Sequence, residues 1–197
     1  MRQVDDIKRM VDEFSSFARM PKARPERDDL NECIRQVTFL MRVGNADIDI
    51  VEDLPETPVI AQFDRRLLSQ ALTNLVKNAV ESVQTFAESA ERPEGYKGRV
   101  EVHVRREGEV AIIEIIDNGT GLPKQNRARL LEPYVTTKGS KGTGLGLAIV
   151  QKIVESHGGT LSLEDAPVTP ERPRGALLRI TLPAPIDLAS AKRVIAA

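Results

Sequence analysis

Several residue types that often reveal a protein's function are scarce in this sequence. Cys33 is the one cysteine among 197 residues, so no intrachain disulfide can form. One cysteine and two histidines also leave few ligands for a structural zinc site. Tryptophan is absent and aromatic residues make up 4%, so the core must be aliphatic. No run of about 18 apolar residues occurs, which excludes a membrane-spanning helix.

The sequence also has no large excess of charge of either sign. The 28 basic residues face 29 acidic ones, and a net charge of −1 gives no overall attraction to nucleic acid or to an anionic membrane. The N-terminus has no apolar signal region. We therefore expect a cytoplasmic chain without a nucleic-acid partner or direct membrane contact, in which local groups carry the function.

What is present is a regular apolar pattern. At 41% hydrophobic residues, the chain can bury a core. Apolar spacing and capping residues predict an α+β fold, a two-layer sandwich in which a mixed sheet is covered by helices on one face. Helices are predicted at 29–42, 64–88 and 145–157. Strands are predicted at 47–53, 58–61, 99–106, 110–116, 160–164 and 176–182.

The N-terminal residues 2–19 form a further predicted helix with a strong apolar stripe, from Val4 to Ala18. The stripe either packs on the chain's own domain or pairs with a helix from an upstream region, which is the interpretation that we favour. Pro21 and Pro25 end this helix, so residues 22–28 are predicted to be a linker. The tail at 184–197 carries no recognisable chemistry.

The first motif that carries chemistry lies in the long helix, where Asn74, Asn78 and Glu81 share one face at about 100° per residue. Asparagine is unfavourable in a helix interior, so the presence of both Asn74 and Asn78 in this helix requires an explanation. A solvated face is the simple explanation. The alternative is an oxygen-donor face for a hard cation that carries nucleotide phosphates.

The second motif follows an apolar strand, which ends in Asp117 before Gly119 and Gly121. Glycines permit close approach of a ligand to the backbone, and a carboxylate at a strand end can accept a hydrogen bond from an exocyclic amine. An ordinary turn also fits, because Asp-Asn-Gly is common in turns.

The third motif opens a helix with Gly142-Thr143-Gly144-Leu145-Gly146-Leu147. Backbone N–H groups at a helix N-terminus favour phosphate, although flexible loop chemistry remains an alternative. The pattern is neither a P-loop nor a dinucleotide fingerprint. The basic segment before it fits a lid over phosphates or a solvated loop, and contains Lys124, Arg127, Arg129, Lys138 and Lys141 against Glu132 alone.

In this order and spacing, the three motifs resemble the N box and the two glycine boxes of the GHKL ATPase superfamily, which includes gyrase, Hsp90, MutL and histidine kinases. The resemblance covers roughly residues 29–183 and implies the Bergerat ATP-binding fold. Sensor histidine kinases are the most similar group, because residues 142–150 followed by His157-Gly-Gly are typical of them. Residues 132–138 resemble their F box, with Tyr134 where Phe is usual.

Residues 8–21 resemble the end of the second dimerisation helix in nitrogen-regulation kinases of the NtrY type. The resemblance thus makes residues 1–21 part of a dimerisation and phosphotransfer helix, and 29–183 the catalytic domain. It implies the cytoplasmic portion of an inner-membrane-anchored homodimer that phosphorylates a response regulator.

The resemblance also implies roles for individual residues. Asn78 would coordinate Mg²⁺ with Asn74 in support, and these two are the catalytic candidates. Asp117 would bind adenine N6. The positions expected to bind ATP are Asn74, Asn78, Glu81, Asp117, Gly119, Gly121, Lys138, Lys141, Gly142, Thr143, Gly144, Leu145, Gly146 and Leu147.

The residue type at position 74 helps to distinguish hydrolysis of ATP from phosphoryl transfer. Gyrase-like members carry a glutamate four residues before the metal-binding asparagine, where it activates water. An amide is not a general base at neutral pH, so Asn74 favours phosphoryl transfer to a side chain over hydrolysis. The alternatives are a GHKL-type ATPase or anti-sigma-factor-like serine kinase, and a degenerate module that docks a partner through residues 2–19.

The acceptor histidine of such a kinase is not evident. His103 is predicted at an outward strand position, and His157 at a helix C-terminus. Neither has the His-Glu or His-Asp setting of the family's phosphoacceptor. We therefore expect that a histidine on an upstream helix accepts the phosphoryl group, and that this chain holds the donor.

Overall fold

The computed structural model describes residues 14–15, 20–136 and 142–185. Its longer helices are α1 (Leu30–Gly44), α2 (Arg65–Ala87) and α3 (Gly146–Ser156), with a short 3-10 helix at Arg127–Leu131. Its strands are β1 (Glu26–Asp29), β2 (Asp49–Asp53), β3 (Ile60–Phe63), β4 (Arg99–Glu107), β5 (Val110–Asp117), β6 (Thr160–Asp165) and β7 (Ala176–Pro183).

Five of these strands form a mixed sheet in the order β2-β4-β5-β7-β6. β2 pairs with β4 in parallel, and the remaining neighbours pair antiparallel. β1 and β3 form a separate antiparallel ribbon. The predicted α+β class with a mixed sheet is confirmed. β5 runs through the centre of the sheet, so Asp117 at its end is held between two neighbouring strands.

One face of the sheet carries the helices and the aliphatic core. Val100, Val102 and Val104 alternate along β4 and are buried, as are Leu68 and Leu72 of α2. Each large side chain buried in this way contributes about 1.5–3 kcal/mol. This apolar layer fixes α2 above β4 and β5, and so fixes the distance from α2 to the end of β5.

Charged side chains occupy the opposite face. Glu114 of β5 accepts hydrogen bonds from Arg105 at 2.5 Å and from Arg179 at 2.7 Å. Burial tends to raise the pKa of Glu114, but the two guanidinium groups outweigh it and lower that pKa below its ordinary value. This face therefore combines an ionic cluster with a small buried apolar cluster of Ile116, Ala166 and Leu177.

Capping residues and apolar spacing in the sequence predicted most helices and strands correctly. Asp29 and Asp64 are the N-caps of α1 and α2, and each side chain accepts a hydrogen bond from a first-turn N–H. Cys33 is fully buried, as predicted. Residues 26–28 belong to the predicted linker but form most of β1 in the structure. The predicted helix 2–19, apart from 14–15, and the tail beyond 185 lie outside the described residues.

Candidate functional site

The polar face of α2 forms one wall of the site. Asn74, Asn78 and Glu81 are each half-buried, while Leu75 and Ala79 between them are fully buried. The predicted division of the helix into a polar and an apolar face is therefore confirmed. Lys77 lies 4.0 Å from Glu81, an ion pair along the rim of this wall.

The start of α3 lies directly beside Asn78. Gly146 is the first residue of α3, and a Cβ added there would lie 3.9 Å from Asn78 Nδ2. Leu145, at the N-cap position, is fully buried and has no side-chain capping bond to the helix. The third motif therefore brings the N-terminus of a helix, a favourable position for negative charge, next to the amide face of α2.

The glycine at 144 is required by its neighbours. It adopts φ +69°, and a Cβ there would lie 2.5 Å from the backbone carbon of Tyr134. The Tyr134 N–H also donates a 3.0 Å hydrogen bond to the Gly144 carbonyl. This contact joins the F-box-like segment to the third motif. The Tyr134 side chain is 62% exposed, so its ring is not packed into the core.

Asp117 forms the floor of the site. It is 2% exposed, and its Oδ1 accepts hydrogen bonds from the Gly119 N–H at 2.8 Å and the Ser82 hydroxyl at 3.2 Å. Burial raises the pKa of Asp117 to about 6, although N–H donors from Gly119 and Ala176, the Ser82 hydroxyl and the charge of Arg172 all act to lower it. The carboxylate is therefore ionised at pH 7 but sensitive to mild acid.

The glycines after Asp117 allow the loop to approach α2. A Cβ at Gly119 would lie 2.5 Å from the Ser82 carbonyl carbon, and Gly121 adopts φ +74°. The second motif therefore touches α2 one turn beyond Asn78. All three motifs, far apart in sequence, converge on a single region above the end of β5.

Two further residues of this floor were not predicted. Asn118 is buried, and its Oδ1 accepts from the Arg99 N–H at 2.8 Å while its Nδ2 donates to Lys97. Gly175 packs so tightly that a Cβ would lie 1.8 Å from the Asp117 carbonyl oxygen. Asn118 lies within the second motif but its type suggested only a turn, and Gly175 lies outside all three motifs. The contacts of both residues arise only when β4, β5 and β7 pair.

The basic segment before the third motif was predicted to be either a lid over phosphates or a solvated loop, and part of its positive charge is already paired within the domain. Arg127 donates to both oxygens of Asp165, at 2.6 and 2.8 Å, and to the Pro123 carbonyl. Arg129 lies 3.6 Å from Glu132. These two cations are therefore engaged by the domain itself. Lys138 and Lys141 lie outside the described residues, so their predicted phosphate contacts stay predictions.

The two histidines occupy structural positions. His157 is buried at the C-cap of α3, where its Nε2 accepts the Asp64 N–H at 2.9 Å. His103 lies in β4, with ring nitrogens 3.1 Å from Asp53 and 3.2 Å from Glu101. The prediction that His157 closes a helix is confirmed, and both side chains are engaged away from the converging motifs.

The donors present suit a cation that arrives with its own phosphate ligands. In the described ranges, no group of three or more His, Cys, Asp or Glu side chains could hold a metal ion. The Asn78 amide beside the α3 N-terminus supplies a neutral oxygen, and Mg²⁺ commonly combines one or two protein oxygens with phosphate oxygens. Also in the part of the chain that the structure describes, no helix combines the length and apolar character needed to cross a bilayer.

Comparisons with known proteins agree with this geometry. Residues 63–186 match the family model described as histidine kinase-, DNA gyrase B-, and HSP90-like ATPase. Nitrogen regulation protein NtrY of Azorhizobium caulinodans is 54% identical over 184 residues, which cover 93% of this chain but 23% of that relative. The chain thus spans about a quarter of that relative's length.

Solved structures show the same fold. The mycobacterial sensor histidine kinase MprB superposes with a TM-score of 0.67 at 30% identity, covering 82% of this chain and 99% of that one. Full-length ShkA in complex with AMPPNP has a TM-score of 0.73 at 25% identity, covering 92% of this chain and 37% of that one. With the N-box face, the buried strand-end aspartate and the glycine-rich helix start in one place, this chain belongs to the histidine kinase-, DNA gyrase B- and HSP90-like ATPase family, as a sensor-kinase-type ATP-binding domain.

Proposed function

We propose that this chain binds ATP with Mg²⁺ and serves as the phosphoryl donor of a two-component sensor kinase of the NtrY type. The γ-phosphoryl group passes to a histidine on an upstream helix and then to an aspartate of a response regulator. The parent protein acts as a homodimer through its helical stalk. The 54% identity to NtrY supports this assignment over a gyrase-like ATPase.

One observation carries the proposal: the convergence of Asn78, Gly146 and Asp117. A Cβ at Gly146 would lie 3.9 Å from Asn78 Nδ2, and Ser82, one turn further along α2, contacts Asp117. A nucleotide lying across this surface places its base at Asp117 and its phosphates between Asn78 and α3. The AMPPNP in the ShkA structure is in line with a nucleotide as the ligand.

Each part of the surface has a separate task. The Asp117 carboxylate accepts the adenine exocyclic N–H, and Gly119 and Gly121 leave space for the base. Asn78 and Asn74 would hold the cation, which would neutralise phosphate charge, and Glu81 would support them from the same face of the helix. Residues 142–147 supply backbone N–H groups to the phosphates, and Lys138 and Lys141 add positive charge. Positioning and electrostatics then perform most of the catalysis.

Isothermal calorimetry with Mg·ATP tests the cation site. Asn78→Ala should lower the Mg²⁺-dependent affinity for ATP by at least about tenfold, since a hydrogen-bonding or ligating group at a charged site contributes roughly 1.5–3 kcal/mol. Thr73→Ala is the matched control, because Thr73 is exposed on the same helix and its hydroxyl donates only to the Ser69 carbonyl at 2.8 Å. Unchanged affinity in Asn78→Ala would refute the assignment.

The base site has its own test. Asp117→Asn should weaken ATP binding more than it weakens binding of inorganic tripolyphosphate, because the tripolyphosphate has no base to contact the carboxylate. An equal loss for both ligands would mean that Asp117 does not recognise adenine.

A further inference from the structure

Ser82 lies at the point where α2 meets the second motif, and none of the motifs includes it. It follows Asn78 by one helical turn and is half-buried. Its Oγ lies 3.2 Å from Asp117 Oδ1, 3.1 Å from the Thr120 nitrogen and 3.2 Å from Thr120 Oγ1. One hydroxyl thus links the helix, the strand end and the loop that follows it.

The direction of these hydrogen bonds follows from the donors. An ionised carboxylate only accepts, so the single Ser82 proton points to Asp117. The Thr120 N–H donates to Ser82 Oγ, while the single proton of the Thr120 hydroxyl has two acceptors in reach, Ser82 Oγ at 3.2 Å and the Gly121 carbonyl at 3.5 Å. Ser82 is therefore polarised from both sides, which strengthens its bond to the carboxylate.

The acceptor capacity of Asp117 shows what this bond does. A carboxylate offers about four lone-pair sites. Donors from the described part of the chain fill three of them: the Ser82 hydroxyl and the N–H groups of Gly119 and Ala176. One site remains for an external donor. Without Ser82, two sites would be open, and the carboxylate would lose the side-chain bond that fixes its rotation.

We propose that Ser82 is a positioning residue that orients the Asp117 carboxylate, so that the site selects purine nucleotides with an exocyclic amine at C6 over those with a carbonyl there. The inference rests on the proposed function, because it assumes that the base lies at Asp117. Ser82 acts through Asp117 and is assigned no contact with the phosphates.

The experiment compares ATP with inosine triphosphate, whose base carries a carbonyl where adenine has the amine. Calorimetry at pH 8 with Mg²⁺ should show that Ser82→Ala weakens ATP binding by at least about tenfold, the effect of losing one hydrogen bond to a charged group. The affinities for inosine triphosphate and tripolyphosphate should not change. The selectivity for ATP should therefore fall by the same factor.

The pH profile gives a second readout. Because the Ser82 hydroxyl lowers the pKa of Asp117, its removal should move the acidic midpoint of ATP binding to higher pH. A residue that only packs against the loop would leave both the midpoint and the selectivity unchanged.

Thr85→Ala is the matched control, since the Thr85 hydroxyl is exposed on the same helix and donates to the Glu81 carbonyl at 2.8 Å. Ser82→Ala should fold, because alanine favours helix and only the hydroxyl is lost. Its thermal unfolding midpoint verifies this, and Ser82→Cys, which keeps a weak donor of similar shape, should show an intermediate selectivity.

The outcomes separate the two proposals. If the wild-type chain prefers ATP and Ser82→Ala weakens both nucleotides equally, or neither, the role of Ser82 is refuted while the adenine contact stands. If the wild-type chain binds both nucleotides equally and Asp117→Asn has no effect, the adenine contact is refuted, and the role of Ser82 with it.

Discussion

The buried carboxyl of Asp117 should cost the empty domain stability at neutral pH. Burial raises its pKa from the ordinary value of 3.8 to about 6. A raised pKa means that the folded state binds the proton more tightly than the unfolded state does. This contribution to the free energy of unfolding is therefore fully present below pH 4 and is lost as the pH rises through 6. The loss corresponds to about 3 kcal/mol at most.

The Asp117→Asn substitution replaces the titratable carboxyl group with an amide of nearly the same shape. We expect the unfolding free energy of the variant, relative to the wild-type chain, to rise by about 2 kcal/mol between pH 4.5 and 7.5 and to stay level above that. Chemical denaturation of both chains, without nucleotide, measures this difference at each pH. Other carboxylates titrate equally in both chains, so their effects cancel.

The pH dependence of the difference is the decisive quantity. The absolute stability of Asp117→Asn also includes a mismatch, because its amide nitrogen would face one of the protein's N–H or O–H donors, but that cost does not change with pH. A difference that is constant from pH 4.5 to 7.5 would mean that Asp117 does not carry a raised pKa, and the electrostatic description of the site would be wrong.

Two further predictions follow from the same surface. Gly175→Ala should destabilise the domain by more than about 2 kcal/mol and weaken ATP binding, since its Cβ would lie 1.8 Å from the Asp117 carbonyl oxygen; a thermal unfolding midpoint unchanged within about 2 °C would contradict this. Asn74→Glu should raise multiple-turnover ATP hydrolysis by at least about tenfold, because a carboxylate can act as a general base where an amide cannot, and phosphate release measures it. Rapid hydrolysis by the wild-type chain would contradict the argument from Asn74.

The fold could be predicted where the signals are local. α2 is the clearest case, because Asp64 caps its first turn and an apolar stripe follows at helical spacing. β1 is the opposite case: its sequence, Glu-Arg-Asp-Asp, has no apolar alternation. It is a strand because it pairs with β3 and because Arg65 holds Asp28 through two hydrogen bonds of 2.5 and 2.6 Å. Those contacts exist only after the chain has folded.

The same distinction applies to the site. Asp117 was evident because an apolar strand ends in a carboxylate before two glycines. Ser82 and Gly175 were not, because each acts through a group distant in sequence. The Ser82 hydroxyl bonds to Asp117, 35 residues further on, and Gly175, directly before β7, packs against the Asp117 backbone. The motifs thus identify groups that meet the ligand, while the groups that orient them become evident only from tertiary packing.

α2 is central to the site because it carries a residue of each kind: Asn78 for the ligand, and Ser82 to orient Asp117. The core fixes its apolar side. Its polar side therefore holds Asn78 next to α3 and Ser82 next to Asp117, and these two residues lie four positions apart, about 6 Å along the helix axis. A rigid helix therefore sets the spacing between the phosphate end and the base end of the surface. A change that shifts α2 should disturb both ends together, whereas changes at Asn78 or Ser82 should each disturb one, and paired measurements with tripolyphosphate and ATP distinguish these outcomes.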